Sequence, residues 1–350
     1  MTEKTRFHAL DGIRGLAAIS ILLFHYTEHN GLNWFKAAPI AVDLFFILSG
    51  FVIMHGYGDR IAQGMAFRHF LWQRLLRLWP LYLIGLILGV VAALVQGVSG
   101  GDISMATLSG ILILPDFNRL IWTINGGATY GVLFPLNAPS WSLFFEMAVN
   151  MAFFAYVAFC RKRDLKILAV VSLVIYAACV LLTRQVNPGW SIDNFWMGFP
   201  RVIAEFFLGA VIYEERHRVP DMPAIVPIGL ALAVFTGFLF ADGRALLPNI
   251  LILLPALIVT ASKMKTGVAF GKVAALLGDL SYPLYIVHVP IYALLYYSLP
   301  ITDLSAPVRT VGMAVLALAV SFALVRLDRM LRHYLKGLPW RTRGHTGVAG

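Results

Sequence analysis

Long apolar runs separated by short polar connections make up most of the chain, and their spacing predicts membrane-crossing helices. A span needs about 20 mostly apolar residues, because the hydrocarbon layer is about 30 Å thick and a helix rises 1.5 Å per residue. Such stretches fall at roughly 10–29, 39–57, 77–97, 104–122, 140–160, 166–184, 196–213, 224–241, 245–262, 275–298 and 307–326. The fourth is the weakest, since Pro115, Asp116, Asn118 and Arg119 break its second half. The N-terminal run, with Lys4 and Arg6 ahead of Leu16 to Phe24, has the outline of a signal peptide. It lacks a small-residue cleavage site and carries Asp11 and Arg14, so it is expected to remain as the first span. No fixed-period repeat or low-complexity linker interrupts the series.

Loop charge decides the fate of 104–122. If it does not cross and the N-terminus is cytoplasmic, the cytoplasmic side holds 21 Lys and Arg against 5 outside (Lys36, Arg119, Arg184, Arg244, Arg309). If it does cross, every later loop inverts and the split becomes 10 inside against 16 outside. Cytoplasmic loops carry the excess of Lys and Arg, so ten spans are expected, with the segment around 104–138 outside and partly re-entrant or interfacial. The fold class read from this pattern is all-α: a polytopic transmembrane helix bundle of about ten spans with both termini cytoplasmic. Residues 1–328 form one transmembrane domain and 329–350 a basic cytoplasmic tail, where Arg329, Leu331, Arg332, Tyr334, Leu335 and Lys336 alternate as on a helix resting on anionic lipid.

Composition agrees. Charged residues make up 13% of the chain and hydrophobic ones 59%, against about 25% charged in soluble domains, so lipid must solvate much of the surface. The net charge of +10 could suggest nucleic acid, but the basic residues sit in short loops between spans, and no nucleic-acid partner is expected. Cys160 and Cys179 show neither metal-type spacing nor a disulfide framework and are read as packing residues. No metal site is expected.

Ionisable groups inside spans cost about 2.5–3.5 kcal/mol each at the bilayer centre, so each one asks for a reason. Arg14 and His25 share the first span. Eleven residues at 100° each bring them to within about 20° of one face, about 16 Å apart along the axis. Arg14 then lies near the cytoplasmic surface and His25 in the outer half. Taken singly, Arg14 could snorkel and His25 could be a hydrogen-bonded packing residue; the shared face favours a joint role. Helical rise places Asp43 and Glu146 at a depth similar to His25, and His288 near the middle of its span. A histidine beside a carboxylate at low dielectric suits general-base chemistry, because the carboxylate orients the ring and stabilises its cation. Which carboxylate faces His25 is open at this point. Arg201 and Glu205, four residues apart, read as an ion pair on one helix face. Arg74 and Arg77, one turn apart and flanked by Trp72 and Trp79, read either as headgroup anchors or as a phosphate clamp. Ser49 and Gly50 form a small pair suited to close helix approach.

In order, Leu10-Asp11-Gly12-Ile13-Arg14-Gly15 with His25, Asp43 through Phe51, Arg74 with Arg77, Ser140-Trp141-Ser142-Leu143 with Glu146, Arg201 to Gly209, and Ser281 to Tyr285 with His288 resemble the acyltransferase-3 family of membrane acyltransferases. The resemblance runs from about Phe7 to Arg326 and implies ten spans, a cytoplasmic acyl-CoA donor, usually acetyl-CoA, and a hydroxyl acceptor on a carbohydrate or glycosylated molecule. It implies His25 as the catalytic histidine, assisted by Asp43 or Glu146, and Arg14, Arg74 and Arg77 as donor-binding residues. Trp141, Ser142, Arg201 and His288 are candidate substrate contacts. The expected setting is a multi-pass protein of the bacterial inner membrane, in contact with membrane lipids. A proton-coupled transporter or flippase is the rival class, because buried His and carboxylates also build proton relays; paired Gly/Pro-broken spans in matching halves, which would favour it, are not evident. A non-catalytic scaffold is the third possibility, and the cost of the polar residues in the spans counts against it.

Overall fold

The structure, a computed structural model, describes residues 6–118, 122–124, 127–129, 131–240 and 246–337. Lys4, Arg119, Arg244, Arg341, Arg343 and the tail beyond Gly337 lie outside the described residues. The helices are α1 (His8–His29), α2 (Ile40–Ala62), α3 (Phe67–Val95), α4 (Gly100–Ile111), α5 (Trp141–Phe159) and α6 (Leu165–Thr183). They continue as α7 (Gly198–Glu215), α8 (Ile225–Phe240), α9 (Leu246–Ser262), α10 (Val268–Ser298) and α11 (Ala306–Gly337). A short hairpin pairs Trp122–Ile124 with Gly127–Thr129. The expected all-α polytopic bundle is the observed architecture.

Eight of these helices are long and apolar enough to cross a membrane. α8 and α9 are shorter, yet both run from one face of the bundle to the other. The far end of α8 meets the α1–α2 connection, where Ala37 N–H donates to the Phe238 carbonyl (3.2 Å). The opposite ends of the pair meet where Lys265 Nζ lies 2.7 Å from Asp221, and the hydrogen bond from Lys265 holds that exposed carboxyl below its usual range. The same face gathers the start of α1, α10 and the end of α11, since Asp279 is paired with both Arg6 and Arg329. This face carries most of the described basic residues and is called the basic face below.

The weak fourth stretch does not cross. α4 begins at a Ser99 cap, whose hydroxyl accepts from Asp102 N–H (3.2 Å). It then folds back antiparallel against α3. Tyr82 Oη donates to the Gly110 carbonyl (2.7 Å) and Trp79 Nε1 to that of Ile111 (3.1 Å), about 20 Å below the end of α3. The chain turns at Ile113, a β-branched residue held at φ 54°. At 12 residues α4 is shorter than a span and packs along α3, in keeping with the expectation that 104–122 does not cross. α3 itself begins at Phe67, ten residues before the expected start at 77, so Arg68, Arg74 and Arg77 are on the helix.

Two close contacts set the frame. α1 and α10 run parallel with Gly12 and Gly15 at the seam, where a Cβ on Gly15 would come within 2.5 Å of Leu277. α2 and α7 approach as closely: a Cβ on Gly50 would lie 1.8 Å from the Phe206 carbonyl oxygen, and one on Gly209 1.9 Å from that of Ile47. Small residues at such crossings allow backbone contact that lipid alone would not drive. Gly50→Ala is therefore expected to cost at least about 1–3 kcal/mol through forced helix separation. Gly56→Ala on the same helix, with nothing within 4 Å of the added methyl, should be neutral or slightly stabilising. Thermal unfolding of the two variants in detergent micelles measures the difference.

Candidate active site

Three assemblies occupy the interior, and each draws on helices far apart in sequence. The first is a cavity of about 530 Å³ near the basic face, lined by Arg6, Asp11, Arg14, Arg74, Arg77 and Glu146 together with Ser49, Ser142, Ser281 and Tyr285. Arg14 is held against α10 by two bonds, Nε to Ser281 Oγ and Nη2 to the Gly278 carbonyl, and Nη2 also bonds Asp11 Oδ1 on its own helix, each 3.0 Å. Arg74 is buried and gives Nη2 to Glu146 Oε1 (2.7 Å), which also accepts from Ser49 Oγ (3.1 Å). Its Nε remains without a partner among the described residues. Arg77 is exposed and lines the same space. A headgroup anchor would keep its guanidinium at the surface; Arg74 is instead inside the bundle, against Glu146.

The second assembly is a histidine cluster one layer further from the basic face. His25 on α1 lies with its ring centroid 5.2 Å from that of His288 on α10 and 5.9 Å from that of His29. His288 is fully buried, and its Nδ1 donates to the Leu284 carbonyl (3.0 Å). Tyr26 Oη donates to the His288 carbonyl (2.8 Å). Arg14 and His25 thus face the same neighbour, α10, as the 100° period predicts. No three His, Cys, Asp or Glu side chains among the described residues are grouped to hold a metal ion.

Tyr285 joins the two assemblies. It lines the cavity, its ring lies 5.9 Å from that of His288, and its hydroxyl is 2.8 Å from Ser142 Oγ. Phe45 meets it edge-on at 5.6 Å. Ser142 Oγ also bonds the Pro139 carbonyl (3.0 Å). Ser142 therefore sets the Tyr285 ring from the start of α5.

The third assembly is fully buried. Arg201 donates Nε to Asp43 Oδ1 (2.8 Å) and Nη2 to Oδ2 (2.9 Å), while Nη1 donates to Asn187 Oδ1 (2.7 Å) and the Pro188 carbonyl (2.9 Å). Its guanidinium lies over Trp141 at 5.4 Å. Glu205, the expected i,i+4 partner, is 3.8 Å from Nε, and neither of its oxygens is hydrogen-bonded among the described residues.

These placements revise several expectations. Asp43 and Glu146 are each engaged by an arginine, and no carboxylate among the described residues bonds His25. They are not at one depth either, since Glu146 reaches Ser49, six residues further along α2 than Asp43. Arg201, with every nitrogen engaged, and Trp141 beneath it form a helix clamp rather than a surface open to substrate. His29 and Tyr285 join the site; the sequence marks Tyr285 only as part of the Ser281–Tyr285 motif, and no motif marks His29. The signal for His29 was present, since it lies one helical turn after His25 on the same face.

A family model described as an acyltransferase domain matches residues 7–326. Protein 2 in picA locus of Rhizobium radiobacter is 36% identical over 189 residues, covering 49% of this chain and 94% of that protein. Acyltransferase MdmB of Streptomyces mycarofaciens is 25% identical, covering 81% of this chain and 78% of the relative. Peptidoglycan O-acetyltransferase OatA of Listeria monocytogenes is 23% identical over 94% of this chain, which spans only 56% of that protein. No solved structure matches the chain.

Breaking a buried ion pair by removing one partner costs about 3–5 kcal/mol, because the other charge stays in a dry interior. Arg201→Leu and Asp43→Leu are each expected to lower the folded yield and melting temperature by that measure. The double substitution should recover part of the loss. Unfolding curves of the four proteins in detergent check the clamp role; wild-type stability with a raised acceptor KM in Arg201→Leu would restore the substrate-contact reading.

Proposed function

The chain belongs to the acyltransferase-3 family and is a membrane acyltransferase, and on that premise we infer that it moves an acyl group from acyl-CoA, in the usual form acetyl-CoA, to a hydroxyl of a sugar-containing acceptor with His25 as general base. One observation carries this reading: Arg14 and His25 both face α10, and the arginine-lined cavity reaches Tyr285, whose ring neighbours His288, which in turn neighbours His25. A relative named for peptidoglycan O-acetylation supports a carbohydrate acceptor. The positive-inside rule supports a cytoplasmic basic face, with the described ends of α1 and α11 on that side, as expected of a bacterial inner-membrane protein.

In this mechanism the CoA phosphates dock on Arg14, Arg74 and Arg77, because planar guanidinium groups match phosphate oxygens in pairs. The acyl-pantetheine arm follows the Arg14–His25 face, about 16 Å along the helix axis, and the Tyr285 ring turns aside to admit it. His25 takes the proton from the acceptor hydroxyl as that oxygen attacks the thioester carbonyl. The tetrahedral intermediate collapses with loss of the thiolate, which recovers the proton from His25 and departs as the free thiol. The products are the acyl ester and CoA, and the histidine is restored.

General-base catalysis contributes about 10²–10⁴-fold. His25→Ala is expected to lose acyl transfer from labelled acetyl-CoA by that factor in inverted membrane vesicles, with normal insertion and abundance. Undiminished turnover would refute the assignment, and movement of an unaltered glycan in its place would favour a transporter. Replacing Arg74 and Arg77 by Gln should raise the KM for acetyl-CoA by about 10–100-fold, the worth of one charge-assisted hydrogen bond, with a smaller change in kcat. A fall in protein abundance with unchanged kinetics would make them anchors.

A further inference from the structure

General-base chemistry asks for a group that holds the imidazole in one orientation and one tautomer, usually a carboxylate. Neither expected carboxylate is free to do this, since Asp43 is spent on Arg201 and Glu146 on Arg74. The group that does face His25 is His288. Its Nδ1 points at the Leu284 carbonyl, and a carbonyl oxygen only accepts, so Nδ1 carries the hydrogen. In the neutral ring Nε2 is then a bare lone pair. That nitrogen is buried and has no hydrogen-bond partner among the described residues. Leaving a buried acceptor unsatisfied costs about 1–3 kcal/mol, so its persistence asks for a partner that arrives by a small motion.

His25 is placed to be that partner. Ring centroids 5.2 Å apart, with planes inclined by 36°, leave facing nitrogens within reach of a direct bond after a slight rotation, or of one shared water. The His288 backbone carbonyl is held by Tyr26 Oη, also from α1, and the Tyr285 ring lies against the imidazole. α10 is further pinned at this level by Asn137, whose Nδ2 donates to the Ile286 carbonyl (2.9 Å), the group that Pro290 cannot satisfy. The lone pair is thus presented from a rigid helix.

We propose that His288 is a positioning residue for acyl transfer: its Nε2 accepts a hydrogen bond from one ring nitrogen of His25 and so turns the other nitrogen toward the acceptor hydroxyl. The inference rests on the reading of His25 as general base. His25 takes the hydroxyl proton on its free nitrogen while its second N–H stays bonded to His288, and the proton on the free nitrogen passes to the departing thiolate. His288 neither gains nor loses a proton across the cycle. A neutral acceptor does this work without placing a second charge in the bundle, at the cost of weaker support for the imidazolium.

The test compares His25→Ala, His288→Leu and His288→Gln in inverted membrane vesicles supplied with labelled acetyl-CoA, counting label in the glycan fraction. His288→Leu should lower kcat by about 10²-fold, with the KM for acetyl-CoA within about twofold of wild type. His288→Gln, whose side-chain oxygen restores an acceptor, should recover most of the rate. An inactive His25→Ala beside a fully active His288→Leu would overturn this inference and leave the base intact. An active His25→Ala would overturn the reading beneath it. Equal loss in the Leu and Gln variants with folded protein would show that the lone pair is not what matters. Histidine ¹⁵N spectra of the unsubstituted protein test the same point without a variant: Nδ1 protonated and Nε2 hydrogen-bonded is the expected His288 signature, and a protonated Nε2 overturns the inference.

Discussion

The bidentate bond between Arg201 on α7 and Asp43 on α2 holds the rest of the interior in register. Both side chains are removed from water and lipid alike, so neither charge can be released without a large desolvation cost. The pair is reached only because Gly50 and Gly209 let the two backbones touch. From Arg201 the constraint passes to Trp141 through its ring face, and so to the first turn of α5. That turn carries Ser142, which holds the Tyr285 hydroxyl, and Tyr285 lies against His288. A structural ion pair thereby helps to place the Tyr285 ring between the arginine-lined cavity and His288.

Satisfaction of buried polar groups is uneven across the bundle. A polar group buried between membrane helices must be satisfied inside the bundle, because hydrocarbon offers it nothing. Arg201, Asp43, Arg14 and Glu146 meet that demand with named partners. His288 does not: its Nε2 has no hydrogen-bond partner among the described residues, a condition it shares with both oxygens of Glu205 and with Arg74 Nε. The orphaned nitrogen of His288 lies beside Tyr285, which lines the arginine-rich cavity.

The periodic features of this arrangement were legible in the sequence. Apolar run length and loop charge indicated the spans and the failure of 104–122 to cross, and the 100° period put Arg14 and His25 on one face. Features that depend on distant partners were not. Arg201 and Glu205 read as a local pair, yet the main partner is Asp43, 158 residues away. Helical rise put Asp43, Glu146 and His25 at one depth because it assumes spans that begin level, and these helices do not. The early start of α3 was hidden because Arg68, Arg74 and Arg77 lower its hydropathy without lowering its helix propensity. His29 is legible at i+4 from His25.

The central claim is a path from the arginine cavity to the histidine cluster past Tyr285. Photo-crosslinking with an acyl-CoA analogue that carries a diazirine on its acyl group tests it most directly, with the labelled peptides mapped by mass spectrometry. The account predicts label on α10 between Ser281 and His288 and on α1 around His25, lost in the presence of excess acetyl-CoA. Label confined to the lipid-facing surfaces of other helices, or label insensitive to that competition, would contradict it.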